Sequence, residues 1–413
     1  MEDKIYGLLG RKLGHSYSVS VHRMLGNNAY RLYELEPDDL GSFIRQKNIG
    51  ALNVTIPYKV AVMDYCDFIS PEAKEIGAVN TIVNRNGKLF GYNTDKYGFE
   101  AMLKNGGINV EGKKVIVLGS GGAGKTADYC VKHLGAKEVV TISRSGKDNY
   151  GNIDIHYDAD IIINATPVGM FPDNGKSPVE LENFSSCCGV ADMIYNPLRT
   201  KLLLDAKKLG IPFAGGLIML TAQAIKANGY FFDTETDEKT AKKKADLLAK
   251  EKENIVLIGM PGSGKSTVGA ALSLLTGREV IDIDKIIEKE TGKSIPQIFE
   301  ECKEKGFRET EQRIIENEGK KSGKIIVTGG GAVTVDANYD SLKQNGRIYE
   351  IKRDISLLST NGRPLSQDAN LVEMYKKRMP MYEKFRDVCV ENNTTPEDTA
   401  EKIRRDFFEN SCY

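Results

Sequence analysis

Two stretches of the chain share one pattern of apolar and polar positions. KKVIVLGSGGAGKTADYCVKHLGAKEVVTISRS, residues 113–145, and NIVLIGMPGSGKSTVGAALSLLTGREVIDID, residues 254–284, each run from an apolar strand into a glycine turn and then into a helical pattern. The start of such a helix presents free N–H groups and the positive end of its dipole, which suits a phosphate. Both stretches therefore predict α/β domains that bind phosphorylated ligands. Between them lies DTETDEKTAKKKADLLAKEKE, residues 233–253, dense in both charges. Its Ala, Lys, Glu and Leu content favours helix, so it reads as a stiff spacer or as the last helix of the first half. It is the natural boundary between two halves.

The first glycine cluster satisfies two patterns at once. Gly119, Gly121 and Gly124 make GxGxxG, while Gly119, Gly124, Lys125 and Thr126 make GxxxxGK[ST]. Context separates them. At a dinucleotide site the end of the next strand meets the ribose, where an acid suits a 2′-hydroxyl and an arginine a 2′-phosphate. Here VVTISRS ends the second strand with Arg144, which points to NADP. The second cluster, Gly259, Gly262 and Gly264 followed by Lys265, Ser266 and Thr267, breaks GxGxxG but keeps GxxxxGKS. It reads only as a nucleoside-triphosphate loop.

Composition narrows the field. The chain has 413 residues with 57 basic and 57 acidic side chains, so it offers no electrostatic case for a nucleic-acid partner. Its length predicts two to four domains at roughly 100–200 residues each. The start, MEDKIYGLLGRKLGHS, lacks the features of a secretory signal, and no stretch is apolar enough to span a bilayer, so a cytosolic chain without membrane contact is expected. Seven cysteines without a CxxC spacing predict reduced structural thiols rather than a metal site. All four histidines, His15, His22, His133 and His156, precede the second glycine loop, so the second half works without imidazole. His15 and His22 read as structural hydrogen-bonders.

Ahead of the first loop sit GHSYSVSVH (14–22), NVTIPYK (53–59), GAVNT (77–81) and GYNTD (91–95), a set of hydroxyls, amides, a lysine and a carboxylate that suits a small polyhydroxylated acid. With GSGGAG, NATPVGM (164–170), DMIYNP (192–197) and GGLIMLTAQA (215–224), these clusters make the first half resemble shikimate dehydrogenase throughout. The resemblance implies that Ser16 and Ser18 bind the substrate carboxylate, that Thr55, Asn80, Asn93 and Gln223 bind its hydroxyls, and that Lys59 and Asp95 are the catalytic pair. It also implies NADP contacts from Gly119, Gly121, Gly122 and Gly124, and from Ser143, Arg144 and Ser145, which stand where the family has Asn-Arg-Thr. The family's Ser-x-Ser-Pro continues here as Ser18-Val19, without the proline that would stiffen that loop.

In the second half, EVIDIDKIIE places Asp282 and Asp284 two apart at a strand end, where regular β geometry would put them on one face. Phosphoryl transfer needs a cation on the phosphates and an oriented attacking hydroxyl. Asp282 with Ser266 is the candidate for magnesium, Asp284 for the hydroxyl, and Lys265 for the phosphate charge. With GFRETE (306–311), VTGGGAV (327–333), GRPLS (362–366) and KRMPMYEKF (377–385), the half resembles shikimate kinase from Asn254 to about Phe408. The resemblance implies that Asp284, Arg308, Gly329, Gly330, Gly331 and Arg378 hold shikimate, and that Arg363 sits on a lid over the phosphates. Only Ser-Thr-Asn-Gly separates Leu358 from Arg363, so the lid reads as short and lacks the arginine that many relatives stack on adenine.

The expected fold class is α/β. A shikimate-binding lobe at 1–101, completed by helices from 215–235, joins a Rossmann NADP lobe at 102–214. A charged linker or helix at 236–253 leads to a P-loop kinase with a parallel sheet flanked by helices at 254–413. The expected function is a bifunctional enzyme that reduces 3-dehydroshikimate with NADPH and phosphorylates shikimate with ATP and Mg2+. The ligands expected are these small molecules, and a homodimer is one assembly the sequence allows. Rivals are a quinate/shikimate dehydrogenase with relaxed NAD(P) use fused to the same kinase, and a chain in which one half only binds ligand.

Overall fold

The computed structural model describes residues 4–14, 16–46, 48–235, 238–358 and 368–410. Contacts divide the chain into two compact units, Met1–Leu248 and Ala249–Tyr413. The division falls inside the helix Glu238–Lys252, formed by the charged segment. Ala241, Ala245, Leu248 and Ala249 are its buried face. Its first turns are held within the first unit, where the Thr221 hydroxyl donates to the Ala241 carbonyl at 3.1 Å and Lys244 Nζ to the Met24 carbonyl at 2.8 Å.

The first unit contains two sheets. One is mixed, with strands β1 (Ile5–Gly10), β2 (Tyr30–Glu34), β3 (Ile49–Val54), β4 (Phe68–Ile69), β5 (Thr81–Arg85) and β6 (Lys88–Tyr92) in the order β2-β1-β3-β5-β6-β4. Its left half is parallel, and β5 runs antiparallel to both β3 and β6. The antiparallel register Thr81↔Tyr92 and Asn53↔Thr81 gathers the ends of three strands at one edge. Asn53, Asn80 and Asn93 lie at these ends, buried at 4%, 2% and 8% exposure. Polar side chains this deep need hydrogen-bond partners or a ligand.

The other sheet is wholly parallel. Its strands are β7 (Lys114–Leu118), β8 (Glu138–Ile142), β9 (Ile161–Asn164), β10 (Gly189–Asp192) and β11 (Phe213–Gly215), in the order β11-β10-β9-β7-β8. The runs VIVL and III are buried on both faces, as parallel strands covered by helices must be. Strand order reverses between β7 and β9, and such a switch point opens a crevice at the carboxyl ends of the strands.

The second unit is an α/β domain with one parallel sheet. β12 (Asn254–Ile258), β13 (Val280–Asp282), β14 (Ile325–Val327), β15 (Gly346–Lys352) and β16 (Val388–Glu391) take the order β13-β14-β12-β15-β16. Apolar clusters cover both faces, one around Val256, Ile326 and Phe385, the other around Leu257, Tyr349 and Phe407. No described helix is long and apolar enough to cross a membrane.

Candidate active sites

The two glycine loops, of which the first fits two patterns, differ in three dimensions. After β7 the helix Gly122–His133 begins at once, so Lys125 and Thr126 are already helical. Lys125 is exposed, and the Thr126 hydroxyl donates to the Gly122 carbonyl at 3.1 Å, inside its own helix. After β12 the helix starts only at Lys265, and Lys265 Nζ curls back to the carbonyls of Gly259 at 2.9 Å and Met260 at 3.0 Å. Gly262 and Gly264 carry positive φ, +84° and +93°, which lets this loop form a cradle.

The first loop needs its glycines for close approach. A Cβ on Gly124 would lie 1.9 Å from the Gly119 carbonyl oxygen, so only glycine packs the helix onto the strand there. At Gly119, with φ +106°, a side chain would meet Ala165 and Thr166 beyond β9, across the switch point. At Gly121 nothing stands within 4 Å, which leaves the backbone approachable. These are the separate roles that a dinucleotide turn assigns to its three glycines. Beyond β8, the Ser143 amide donates to the Asp148 carbonyl at 3.1 Å, and the turn displays Arg144 and Ser145 exposed.

Lys59 leaves the loop after β3, and Asp95 opens the helix Asp95–Asn105. Their Nζ and Oδ2 stand 2.5 Å apart, with side chains only 14% and 9% exposed. A surface ion pair is excluded by that burial. The stem of Lys59 lies over the glycine loop, since a Cβ on Gly122 would come within 3.2 Å of Lys59 Cδ. The pair thus stands beside the glycine loop.

Beside it is a network of amides. Asn80 Oδ1 accepts from the Thr94 amide at 2.7 Å, and the Thr94 hydroxyl donates to Gln223 Oε1 at 3.3 Å. Gln223 arrives on the helix Gly216–Phe232, which approaches closely because residue 98 is glycine; a Cβ there would be 2.5 Å from the Met219 carbonyl oxygen. Asn93 is less available than expected, as its Nδ2 donates to the Ala78 carbonyl at 3.0 Å and its Oδ1 accepts from the Lys96 amide at 3.3 Å. Thr55, half-buried, packs its methyl beside Gly10 at the entrance to the Lys59 loop. The Ser16 hydroxyl donates to the Ser18 hydroxyl at 3.1 Å and accepts from the Ser18 amide at 3.2 Å.

Sequence reasoning passed over Tyr195. It lies in DMIYNP, hydrogen-bonds Ser16, and packs its ring 5.3 Å from Tyr17; burial raises its pKa while Ser16 draws it down. Thr94, which joins Asn80 to Gln223, was also overlooked although it stands inside GYNTD. His22 corrects the expectation of a hydrogen-bonder. Its ring stacks on Tyr30 at 3.8 Å, and neither nitrogen has a hydrogen-bond partner. His15 lies outside the described residues.

In the second unit the two aspartates divide, for a reason that corrects the expected β geometry. The strand stops at Asp282, which caps the helix Ile283–Thr291, so Asp284 is helical and alternation along a strand does not apply. Asp282 Oδ2 accepts from the Ser266 hydroxyl at 3.0 Å. Asp284 turns to the triplet after β14, where a Cβ on Gly329 would lie 2.8 Å from Asp284 Oδ1 and 2.5 Å from Glu311 Oε1. Burial raises the Asp284 pKa; Lys265 pulls it down, Asp282 pushes it up, and Arg308 pulls it down again.

Arg308 Nη1 donates to the fully buried Glu311 Oε2 at 2.6 Å. Burial raises the Glu311 pKa against the pull of Arg308. Arg308 Nε and Glu311 Oε1 are buried without hydrogen-bond partners, which is unusual for polar atoms. A Cβ on Gly331 would lie 1.9 Å from Arg308 Nη2, so a side chain there would displace the guanidinium. Arg378, 7% exposed, donates to the Gly330 carbonyl at 3.2 Å. Asp284, Arg308, Gly329, Gly330, Gly331 and Arg378 therefore converge, with Lys265 within electrostatic reach. Thr267 is exposed on the helix after the loop, and Arg363 lies outside the described residues. Asn392, not foreseen, donates to the Ser263 carbonyl at 2.7 Å and so ties the end of β16 to the loop.

Among the described residues no cluster of three or more His, Cys, Asp or Glu could hold a metal alone. Ser266 beside Asp282 suits a magnesium ion that takes most of its ligands from phosphates and water.

Family comparison adds an independent line. Residues 8–82 match the shikimate dehydrogenase substrate binding domain, and residues 261–407 match shikimate kinase. The NADP(+) shikimate dehydrogenase of Clostridium beijerinckii is 40% identical over 256 residues, covering 57% of this chain and 94% of that protein. Shikimate dehydrogenase 1 from Peptoclostridium difficile is 38% identical with a TM-score of 0.56, covering 59% of this chain and 97% of its own. The shikimate 5-dehydrogenase of Thermus thermophilus, solved with NADP(H) and shikimate, is 30% identical with a TM-score of 0.53, covering 59% of this chain and 98% of its own.

Proposed function

Because the chain belongs to the shikimate dehydrogenase family over its first unit and carries a shikimate kinase domain in its second, we propose that it reduces 3-dehydroshikimate to shikimate with NADPH and then phosphorylates the shikimate 3-hydroxyl with MgATP. The reading rests on one recurring arrangement. Each unit sets a lysine and an aspartate against its glycine loop, Lys59 with Asp95 over Gly122, and Lys265 near Asp284 beside Gly259.

In the first unit bound NADPH supplies a hydride. Lys59 donates its proton to the ketone oxygen as negative charge develops there, and Asp95 holds the ammonium in place and stabilises it. Asn80, Thr94 and Gln223 fix the ring hydroxyls, and Ser16 and Ser18, braced by Tyr195, receive the carboxylate. Arg144, exposed past β8, would meet a 2′-phosphate.

In the second unit Asp284 orients the attacking hydroxyl and accepts its proton, a task made easier by the burial that raises its pKa. Lys265 neutralises phosphate charge, and Ser266 with Asp282 would hold the magnesium ion. Arg308 and Arg378 clamp the ring carboxylate as planar forks.

Two substitutions separate the sites. Lys59→Ala should cut kcat of the reduction by at least roughly a hundredfold while phosphorylation stays near normal, and Lys265→Ala should do the reverse. NADPH oxidation and ADP release, assayed separately on purified chain, give the answer. Loss of both activities from either change would sink the assignment of two separate sites.

A further inference from the structure

The nucleotide loop and the acceptor cradle of the second unit meet at one hydroxyl group. Tyr382 stands four residues after Arg378 on the helix Asp368–Phe385, so both side chains leave the same face. The Tyr382 hydroxyl donates to the Gly330 carbonyl at 2.5 Å, the oxygen that also accepts from Arg378 at 3.2 Å. The same hydroxyl lies 3.8 Å from the Met260 sulfur. Met260 belongs to the nucleotide loop, and its carbonyl receives Lys265 Nζ. A second contact runs in parallel, because a Cβ on Gly330 would come 2.6 Å from the ring of Pro261. One tyrosine thus stands between the phosphate lysine and the arginine of the cradle. Its ring is 1% exposed, and burial raises the phenol's pKa, so it stays a neutral donor.

We propose that Tyr382 is a positioning residue that couples the two halves of the kinase site: closing the loop on a nucleotide sets the Gly330 carbonyl and Arg378, and a filled cradle sets the loop in return. This rests on the kinase reading above and adds to it a source of mutual substrate assistance. Such coupling must be reciprocal. No bond is made or broken by Tyr382 itself.

The test uses the full chain, without NADP(H), and reads ADP release. The apparent KM for shikimate is measured at scarce and at saturating MgATP. In the unaltered chain it should fall severalfold as MgATP rises. Tyr382→Phe removes the hydroxyl and keeps the ring. It should bring that ratio close to one and raise the KM at saturating MgATP about threefold to tenfold, the size expected of one hydrogen bond, with kcat changed less than about twofold and a melting midpoint lowered by no more than a few degrees, as loss of one buried hydrogen bond requires. Met260→Leu, which keeps the bond to Gly330, should lower the ratio partway, and it carries the test if Tyr382→Phe does not fold. A ratio of one in the unaltered chain, or the same ratio in the variants, overturns the proposal. So does a lower melting midpoint with the ratio intact, since that is the mark of a purely structural tyrosine. Absence of ADP release from the unaltered chain is a different failure and removes the kinase reading itself.

Discussion

His22 lies flat between Tyr30 and Phe231, and burial lowers its pKa from 6.5 to about 3 against an opposing pull from Asn53. Asp192, also buried, moves oppositely. Its carboxylate accepts from Ile194, Thr200 and Asn164, yet burial pushes it from 3.8 up to about 6. Between pH 3 and 6.5 the unfolded chain holds a proton on His22 that the folded chain does not, so that residue makes stability fall as pH falls. Between 3.8 and 6 the folded chain holds a proton on Asp192 that the unfolded chain lacks, so that residue makes stability fall as pH rises. The two slopes, each about 1.4 kcal/mol per pH unit, oppose one another across the shared window of about pH 4–6. His22→Phe should therefore leave the Asp192 slope uncovered. Denaturant midpoints of the variant, compared with the unaltered chain at about pH 4, 5 and 6, should gain relative stability at the acid end. A difference that stays constant with pH would show that His22 is not the buried neutral base described here. At this scale the motifs made legible which residues come together, as for Lys59 with Asp95 and for Asp284 with the glycine triplet. The sequence was opaque at Tyr195 and Tyr382, whose roles depend on Ser16 and Gly330, partners far away in the chain.

Elements place these residues through close approach. The helix Asp95–Asn105 lies on Gly216–Phe232 with no room for a methyl group at residue 98, and that contact delivers both Asp95 and Gln223 to the site. Gly98→Ala must push the helices apart. It should cost about 1–3 kcal/mol of stability, the usual penalty of overpacking, and roughly tenfold to a hundredfold in kcat of reduction, since misplacement by an ångström is enough. Thermal melting and NADPH oxidation measured together give the answer; normal turnover with normal stability would mean that the helices separate without disturbing the site. Strand–glycine–helix units were readable because their period and glycine spacing are local. Gly98 was not, because inside a helical stretch nothing local distinguishes a glycine at a helix contact from any other. The same holds for the Asp282–Asp284 pair, where a strand was expected to continue and a capping aspartate ends it instead.

At the scale of the molecule, the helix Glu238–Lys252 has the composition of a linker but packs as part of a core. Ala241 closes over Ala222 and Ile225, and its carbonyl receives Thr221. A chain ending at residue 253 should then reduce 3-dehydroshikimate at a rate near that of the full chain, whereas one ending at 234 should melt lower and lose activity, because those apolar side chains meet water. Equal behaviour of the two truncations would make the segment a spacer only. What the sequence by itself determined was the chemistry: two glycine loops of different kinds, a lysine and a carboxylate for each, and the order of parts, since motif identity and spacing are carried by residues near each other in the chain. Only the tertiary structure decided that Lys265 turns back on the carbonyls of its own loop, that Asp282 ends its strand and caps the helix carrying Asp284, and which tyrosines meet Ser16 and Gly330. Those outcomes depend on strand order, helix starts and the few ångströms between elements, and such distances arise only when remote segments pack.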